Sequence, residues 1–331
     1  MITRKIAVLG SNSFSGSDLV DLLLEDPQNE VIGISRSPEK SALFLPYLRH
    51  NSPRFKFHQL DFNGNMPEIC QVLDEFAPEW IVNFAAQSEV APSWVHPDHW
   101  FQTNTVALAQ LINHLKDQKY LQRYLHISSP EAYGTCVGTV MEDAPLNPST
   151  PYAASKAAAD MLLSTYHKNF QFPLLTVRAT NVYGAHQQLF KIIPRSAIYI
   201  KLGKTIQLHG GGVAVKSYIH IRDVSRGELA ILEKGQIGEI YNLSPDEGYE
   251  VRKVVRTICD TMNVPFEDAA ETVAERLGQD AAYVIDSTKA RTQLGWNCQV
   301  SLDEGIAGVI DWVNRFWTEI QQQPLEYIHK A

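Results

Sequence analysis

Apolar runs of strand length alternate with stretches of helical spacing along the first half of the chain. IAVLG (6–10) is short, apolar and closed by glycine, which predicts a buried strand. SDLVDLLLED (17–26) follows with apolar positions three and four apart and Pro27 as a stop. EVIGIS (30–35) and FKFHQLDF (55–62) read as the next two strands, MPEICQVLDEFAP (66–78) as a helix and WIVNFAA (80–86) as another strand. HWFQTNTVALAQLINHLKDQ (99–118) is a long amphipathic helix, and YLQRYLHISS (120–129) leads into a strand. TPYAASKAAADMLLSTYHKNF (150–170) is helical, with Thr150 as N-cap and Pro151 in the first turn, and PLLTVRATNVYG (173–184) is a further strand. Alternating strands and helices pair in parallel through right-handed crossovers, so the expected class is α/β, a Rossmann-type doubly wound parallel sheet.

The rhythm changes after residue 184, where short segments such as KTIQLHGG and KSYIHIRD interleave with helical stretches. A smaller, partly discontinuous C-terminal substrate domain is expected there. Residues 1–184 with about 218–246 would form the dinucleotide-binding unit, and 185–217 with 247–331 the second. The sequence contains no internal repeat and no low-complexity tract.

Of the 331 residues, 44% are hydrophobic, enough for a sizeable core. Net charge is −8, with Lys and Arg scattered, which excludes a basic nucleic-acid face and leaves any anionic ligand to local donors. Cys70, Cys136, Cys259 and Cys298 form no CxxC pair. Reduced thiols are expected, with no disulfide framework and no metal site. The apolar run of MITRKIAVLG is too short for a signal segment or a membrane span, so a cytoplasmic protein without membrane partners is the expectation.

Gly10-Ser11-Asn12-Ser13-Phe14-Ser15-Gly16 joins the first strand to the first helix. That is where a dinucleotide-binding fold turns tightly so that helix N-terminal amides meet pyrophosphate. Gly10 permits the turn and Gly16 permits close packing, but Ser13 stands at the usual middle glycine, so the fingerprint is incomplete. The second strand ends in Ser35-Arg36-Ser37 without a carboxylate for ribose hydroxyls, which slightly favours NADP over NAD. Arg36 also reads as an exposed loop residue. Asp61, after the third strand, is either an acceptor for the adenine amino group or an ordinary turn residue.

Tyr152 and Lys156 are four apart, on one helical face. An ammonium near a phenol is expected to lower its pKa, so that Tyr152 can take a hydroxyl proton during hydride transfer. Ser129, at the end of the preceding strand, can donate to the same substrate oxygen. A surface Tyr–Lys pair is common; after a βαβ pattern and a strand ending in Ser-Ser the pair becomes more specific.

NFAAQSEVAPSW (83–94), FQTN (101–104), HISSPEAYG (126–134), PSTPYAASKAAAD (148–160), RATNVYG (178–184) and DSTKARTQLGW (286–296) together resemble the extended short-chain dehydrogenase/reductases over almost the whole chain. Within that family the sequence is most similar to the nucleoside-diphosphate-hexose 4,6-dehydratases. Ser129-Pro130-Glu131 stands where dTDP-glucose 4,6-dehydratases show Thr-Asp-Glu and GDP-mannose 4,6-dehydratases show Thr-Ser-Glu.

The resemblance implies bound NAD(P), a nucleotide-sugar substrate and a homodimer formed by the helices at 99–118 and 150–170. It implies a cycle in which Tyr152 serves C4 oxidation, Glu131 removes the C5 proton as water leaves C6, and the hydride returns to C6. Such work suits a glutamate of raised pKa. Pro130 departs from the dTDP-glucose pattern and can neither give nor take a proton through its side chain. Further cofactor contacts are implied at Phe14, Phe62, Ala85, Ala86, Gln87 and Asn104. Substrate contacts are implied at Ser88, Asn181, Lys191, Lys216 and Arg276, while the paired arginines of the dTDP-glucose enzymes are replaced by Ala281 and Ala282. An epimerase or a decarboxylase of the same family is the near alternative, and Glu131 speaks against the epimerase. A catalytically silent NADP-binding protein is the reading from another class; Ser129, Tyr152 and Lys156 together speak against it.

Overall fold

The computed structural model describes residues 3–135, 139–274 and 282–329. β1 (Arg4–Leu9) is joined to β2 (Asn29–Ser35) by α1 (Phe14–Glu25), and β3 (Phe55–Gln59) pairs outside β2. α2 (Met66–Phe76) then carries the chain back to β4 (Trp80–Asn83) on the other side of β1. The short helices α3 (Val90–Ser93) and α4 (Pro97–Phe101) precede α5 (Leu108–Leu115). The single helix expected over 99–118 is interrupted, because Gln102–Ala107 winds as a π-helical turn. β5 (Arg123–Ile127), the long α6 (Pro151–Phe170) and β6 (Leu174–Ala179) follow.

The strand expected over 173–184 is two strands. Thr180 N still bonds Leu243 O, but Asn181 N turns to Ser217 O, so β7 (Asn181–Tyr183) leaves the main sheet. Beyond it come α7 (Ile192–Leu202), β8 (Ile206–His209), β9 (Val215–Lys216), β10 (Tyr218–His220), α8 (Ile221–Lys234) and β11 (Ile240–Leu243). β12 (Tyr249–Glu250), α9 (Val251–Thr261), α10 (Phe266–Ala269), β13 (Ala270–Val273), β14 (Ala282–Tyr283), α11 (Leu302–Arg315) and α12 (Trp317–Ile320) complete the order.

The main sheet has seven parallel strands in the order β11-β6-β5-β4-β1-β2-β3. Alternation in β1 divides its two faces. Ile6 and Val8 pack with Leu19, Leu23 and Ile231 under α1 and α8, whereas Ala7 and Leu9 pack with Leu73, Ile112 and Leu163 under α2, α5 and α6. A third core joins Ile193, Val254, Ile258, Val309 and Val313 of α7, α9 and α11. The strand order reverses between β1 and β4, and a crevice opens at the carboxyl ends of strands at such a switch point. Gly10, Ser13, Tyr152 and Lys156 line cavities of the structure.

Candidate active site

Gly10 leaves β1 at φ 85°, and a Cβ there would lie 2.8 Å from Ala85 N, so the turn must be bare backbone. Ser13 caps α1 by accepting from Gly16 N at 3.0 Å, and a Cβ on Gly16 would fall 2.4 Å from Gly10 O. The substitution of serine for the usual middle glycine is therefore accommodated as a helix cap. Above this turn lies a cavity of about 340 Å³ walled by Gly10, Ser13, Ser35, Arg36, Asp61 and Phe62, and by Ala85, Ala86 and Gln87. Its floor is backbone, it opens at the N-terminus of α1, and the buried Asn12 Oδ1 has no hydrogen-bond partner. This donor set fits a dinucleotide.

The polar end of that cavity is preorganised. Asn12 N donates to Ser35 Oγ at 3.0 Å, Asn12 Nδ2 donates to Ser37 O and Pro38 O at 3.0 and 2.8 Å, and Lys40 Nζ donates to Asn12 O at 2.9 Å. Arg36 and Lys40 thus bring two cations to the end of β2, of which the sequence reading used only Arg36. The Asp61 carboxylate accepts from Asn63 N at 3.0 Å and shapes the turn.

Ser13, Phe84 and Ala86 are shared with a second cavity of about 570 Å³, whose wall also carries Phe14, Ser88, Ser128, Tyr152 and Lys156. α6 is set by its N-cap, Thr150 Oγ1 accepting from Ala153 N at 3.1 Å, and by Ser93 Oγ accepting from Tyr152 N at 3.2 Å. Lys156 Nζ donates to Ile127 O at 2.6 Å. Burial lowers the Lys156 ammonium to about 8, with Asp160 opposing the shift.

The net shift of the Tyr152 phenol runs opposite to the lowering expected from Lys156 alone. Burial raises that phenol above its ordinary range; Glu131 raises it further, a hydrogen bond with Ser129 opposes, and Glu89 and Asp160 add to the rise. The loop after β5 therefore brings Ser129 and Glu131 to Tyr152 from one side. Ser129 Oγ also accepts from Glu131 N at 3.2 Å, which fixes the short turn Pro130–Tyr133.

Beneath these residues lies a buried polar set that the sequence reading missed. Ser128 Oγ and Arg178 Nη2 both donate to Asp160 Oδ2, at 2.6 and 2.7 Å. Burial, aided by the cations of Lys156 and Arg178, keeps His126 neutral beside them. The only sequence signal was position: Asp160 lies four residues after Lys156 on α6, hence one turn further on the same face.

The larger cavity is also lined by three cations, Lys191, Arg195 and Lys216, and by Asn181. Lys191 Nζ pairs with Glu89 Oε1 at 2.7 Å. Arg195 and Glu89 are also additions to the sequence reading. The Asn104 amide bonds Gln87 N and O at 2.8 and 3.0 Å and Ser155 Oγ at 2.9 Å, so it braces Gln87 in the wall of the smaller cavity. Arg276 and Ala281 lie outside the described residues. Among the described residues no group of His, Cys, Asp and Glu is arranged to hold a metal, and no helix is long and apolar enough to cross a membrane.

The sequence profile of the family described as GDP-mannose 4,6 dehydratase matches residues 8–309. The chain is 31% identical to the dTDP-glucose 4,6-dehydratase of Xanthomonas campestris over 77% of its length and 79% of that protein. It is 28% identical to the enzyme of the same name from Haemophilus influenzae, over 93% of this chain and 97% of the other. Among solved structures, the dTDP-glucose 4,6-dehydratase DesIV of Streptomyces venezuelae, with NAD and TYD bound, superposes with a TM-score of 0.87 at 30% identity, covering 95% of this chain and 98% of that one. The UDP-glucuronic acid 4-epimerase of Bacillus cereus, with UDP-glucuronic acid and NAD, gives 0.85 at 25% identity over 94% and 99%.

Proposed function

The chain belongs to the GDP-mannose 4,6 dehydratase family, and we propose that it is a lyase that converts a nucleoside-diphosphate hexose to the 4-keto-6-deoxy sugar. The observation that carries this reading is the gathering of Ser129 and Glu131 around the phenol of Tyr152. A redox tyrosine alone serves epimerases equally. A carboxylate beside it supplies the C5 base that water loss requires.

Gly10, Ser13, Phe14, Asp61, Ala85 and Ala86 would hold NAD(P), with Gly16 packing beneath the turn. When bound, the nicotinamide supplies the hydride-accepting and hydride-returning chemistry. Tyr152 takes the C4 hydroxyl proton, Ser129 donates a hydrogen bond to the same oxygen, and Lys156 stabilises the developing phenolate. The positive charge of the oxidised nicotinamide would oppose the carboxylates that raise the phenol. The 4-ketone acidifies C5, and Glu131 removes that proton as the C6 hydroxyl departs. Lys191, Arg195 and Lys216 suit the diphosphate, with Ser88 and Asn181 completing the entry.

NADP is the preferred cofactor in this proposal. Arg36 and Lys40 are cations at the end of β2, where no carboxylate stands to receive a ribose hydroxyl. Residues 1–184 with about 218–246 are assigned to the cofactor, and 185–217 with 247–331 to the sugar nucleotide. A homodimer through the segment 99–118 and α6 is supported by the exposed Phe101 on α4, Val106 on the π-helical turn and Met161 on α6. A cytoplasmic setting is supported by the separate, unpaired Cys70, Cys259 and Cys298. The test is a panel of nucleoside-diphosphate hexoses followed by mass spectrometry: loss of one water from one of them is expected. Conversion without water loss would give the protein to the epimerases.

A further inference from the structure

Glu89 is a carboxylate in the wall of the large cavity that the steps above leave without a task. It immediately precedes α3, and α3 is fastened to the first turn of α6 through Ser93 Oγ and Tyr152 N. Its charge reaches the Tyr152 phenol, ranking after that of Glu131. Its side chain is only 20% exposed, and its partner is Lys191, one of the cations lining the same cavity. Two carboxylates from two separate loops therefore approach the space beside Tyr152.

Elimination across C5 and C6 needs an acid for the departing hydroxyl as well as a base for the proton. Pro130, between Ser129 and Glu131, carries no transferable proton. On the dehydratase reading, we propose that Glu89 is the general acid for the C6 hydroxyl and that Lys191 holds it until the substrate arrives. An arriving diphosphate competes for Lys191, and the released Glu89, in the wall it shares with Tyr152, takes up a proton from solvent. That proton passes to the C6 oxygen as the C6–O bond breaks, and the bond pair leaves with oxygen as water. The C5–H pair becomes the C5=C6 bond, and the C5 proton goes to Glu131. Glu89 is left ionised and pairs again with Lys191 when the product departs.

The two carboxylates are separable in deuterated water. Glu89→Gln should lose water from the substrate about 10²–10⁴-fold more slowly. It should still return hexose carrying deuterium at C5, because Glu131 continues to remove that proton. Glu89→Asp should recover part of the rate, and the alkaline limb of its pH–rate profile, absent in Glu89→Gln, should be present. Glu131→Gln should lose both water release and C5 exchange. Undiminished water loss in Glu89→Gln, or joint loss of exchange and elimination in it, would overturn the assignment of Glu89 while leaving the dehydratase reading in place. An unmodified enzyme that dehydrates no nucleoside-diphosphate hexose would overturn both.

Discussion

Asp160 holds Arg178 through one carboxylate oxygen, Oδ2, at 2.7 Å, and both side chains are buried under the strand ends that carry the site. The same oxygen accepts from Ser128 Oγ, so the pair also fixes the residue before Ser129. Asp160→Asn would leave the Arg178 guanidinium buried without its counter-charge. Removing one partner of a buried pair costs about 3–5 kcal/mol. Urea unfolding of the variant should show a loss of that order; a loss below about 1 kcal/mol would mean that water reaches Arg178 and that the pair is not closed.

Lys156 bears on stability as well as chemistry. Its folded pKa is about 8 against an ordinary 10.5, so between those values the unfolded chain binds more protons than the folded one. Stability therefore rises with pH across that window. The penalty of burying the ammonium is complete below about pH 8 and vanishes above 10.5. Measured against Lys156→Met, which cannot titrate, the unmodified protein should gain up to about 3 kcal/mol as pH moves through the window. A difference between the two proteins that is independent of pH would show that Lys156 keeps its ordinary pKa.

Arg36 tests the cofactor preference. Arg36→Ala should weaken NADP binding by about 1.5–3 kcal/mol, the worth of a hydrogen bond to a charged group, and leave NAD binding nearly unchanged. Titration calorimetry on both cofactors reads this directly. Equal affinity of the unmodified enzyme for the two would remove the preference.

The proposed homodimer would bury an apolar face. Met161 is 64% exposed on α6, which packs against α4, carrying the exposed Phe101, and against the π-helical turn, carrying the exposed Val106. Light scattering should give twice the chain mass, and Met161→Asp should shift the protein to a monomer by placing a charge in the interface. A monomeric unmodified protein would contradict the dimer.

Much of this was legible along the chain, and the exceptions share a cause. β1, α1 and the turn between them were visible because apolar period and glycine position are local properties. The Tyr152–Lys156 spacing was equally local, and the cavity wall carries both. The direction of the Tyr152 shift was not, since it depends on burial and on Glu131 from another loop. Glu89 went unread because its partner Lys191 is 102 residues away. Asn104 looked like a ligand contact, but a π-helical turn places its amide on Gln87 and Ser155. Arg178 read as an ordinary strand residue until the fold put it over the ring of Tyr133 at 4.3 Å and against Asp160.

If one hexose is oxidised at C4, dehydrated across C5 and C6, and reduced at C6 within a single active site, the hydride taken from C4 reappears at C6. A nucleoside-diphosphate hexose carrying deuterium at C4, turned over in ordinary water and examined by proton NMR and mass spectrometry, follows that hydride. The product should be lighter by one water, with the label at C6 and none at C4. Label retained at C4, or product formed with all its water, would contradict it.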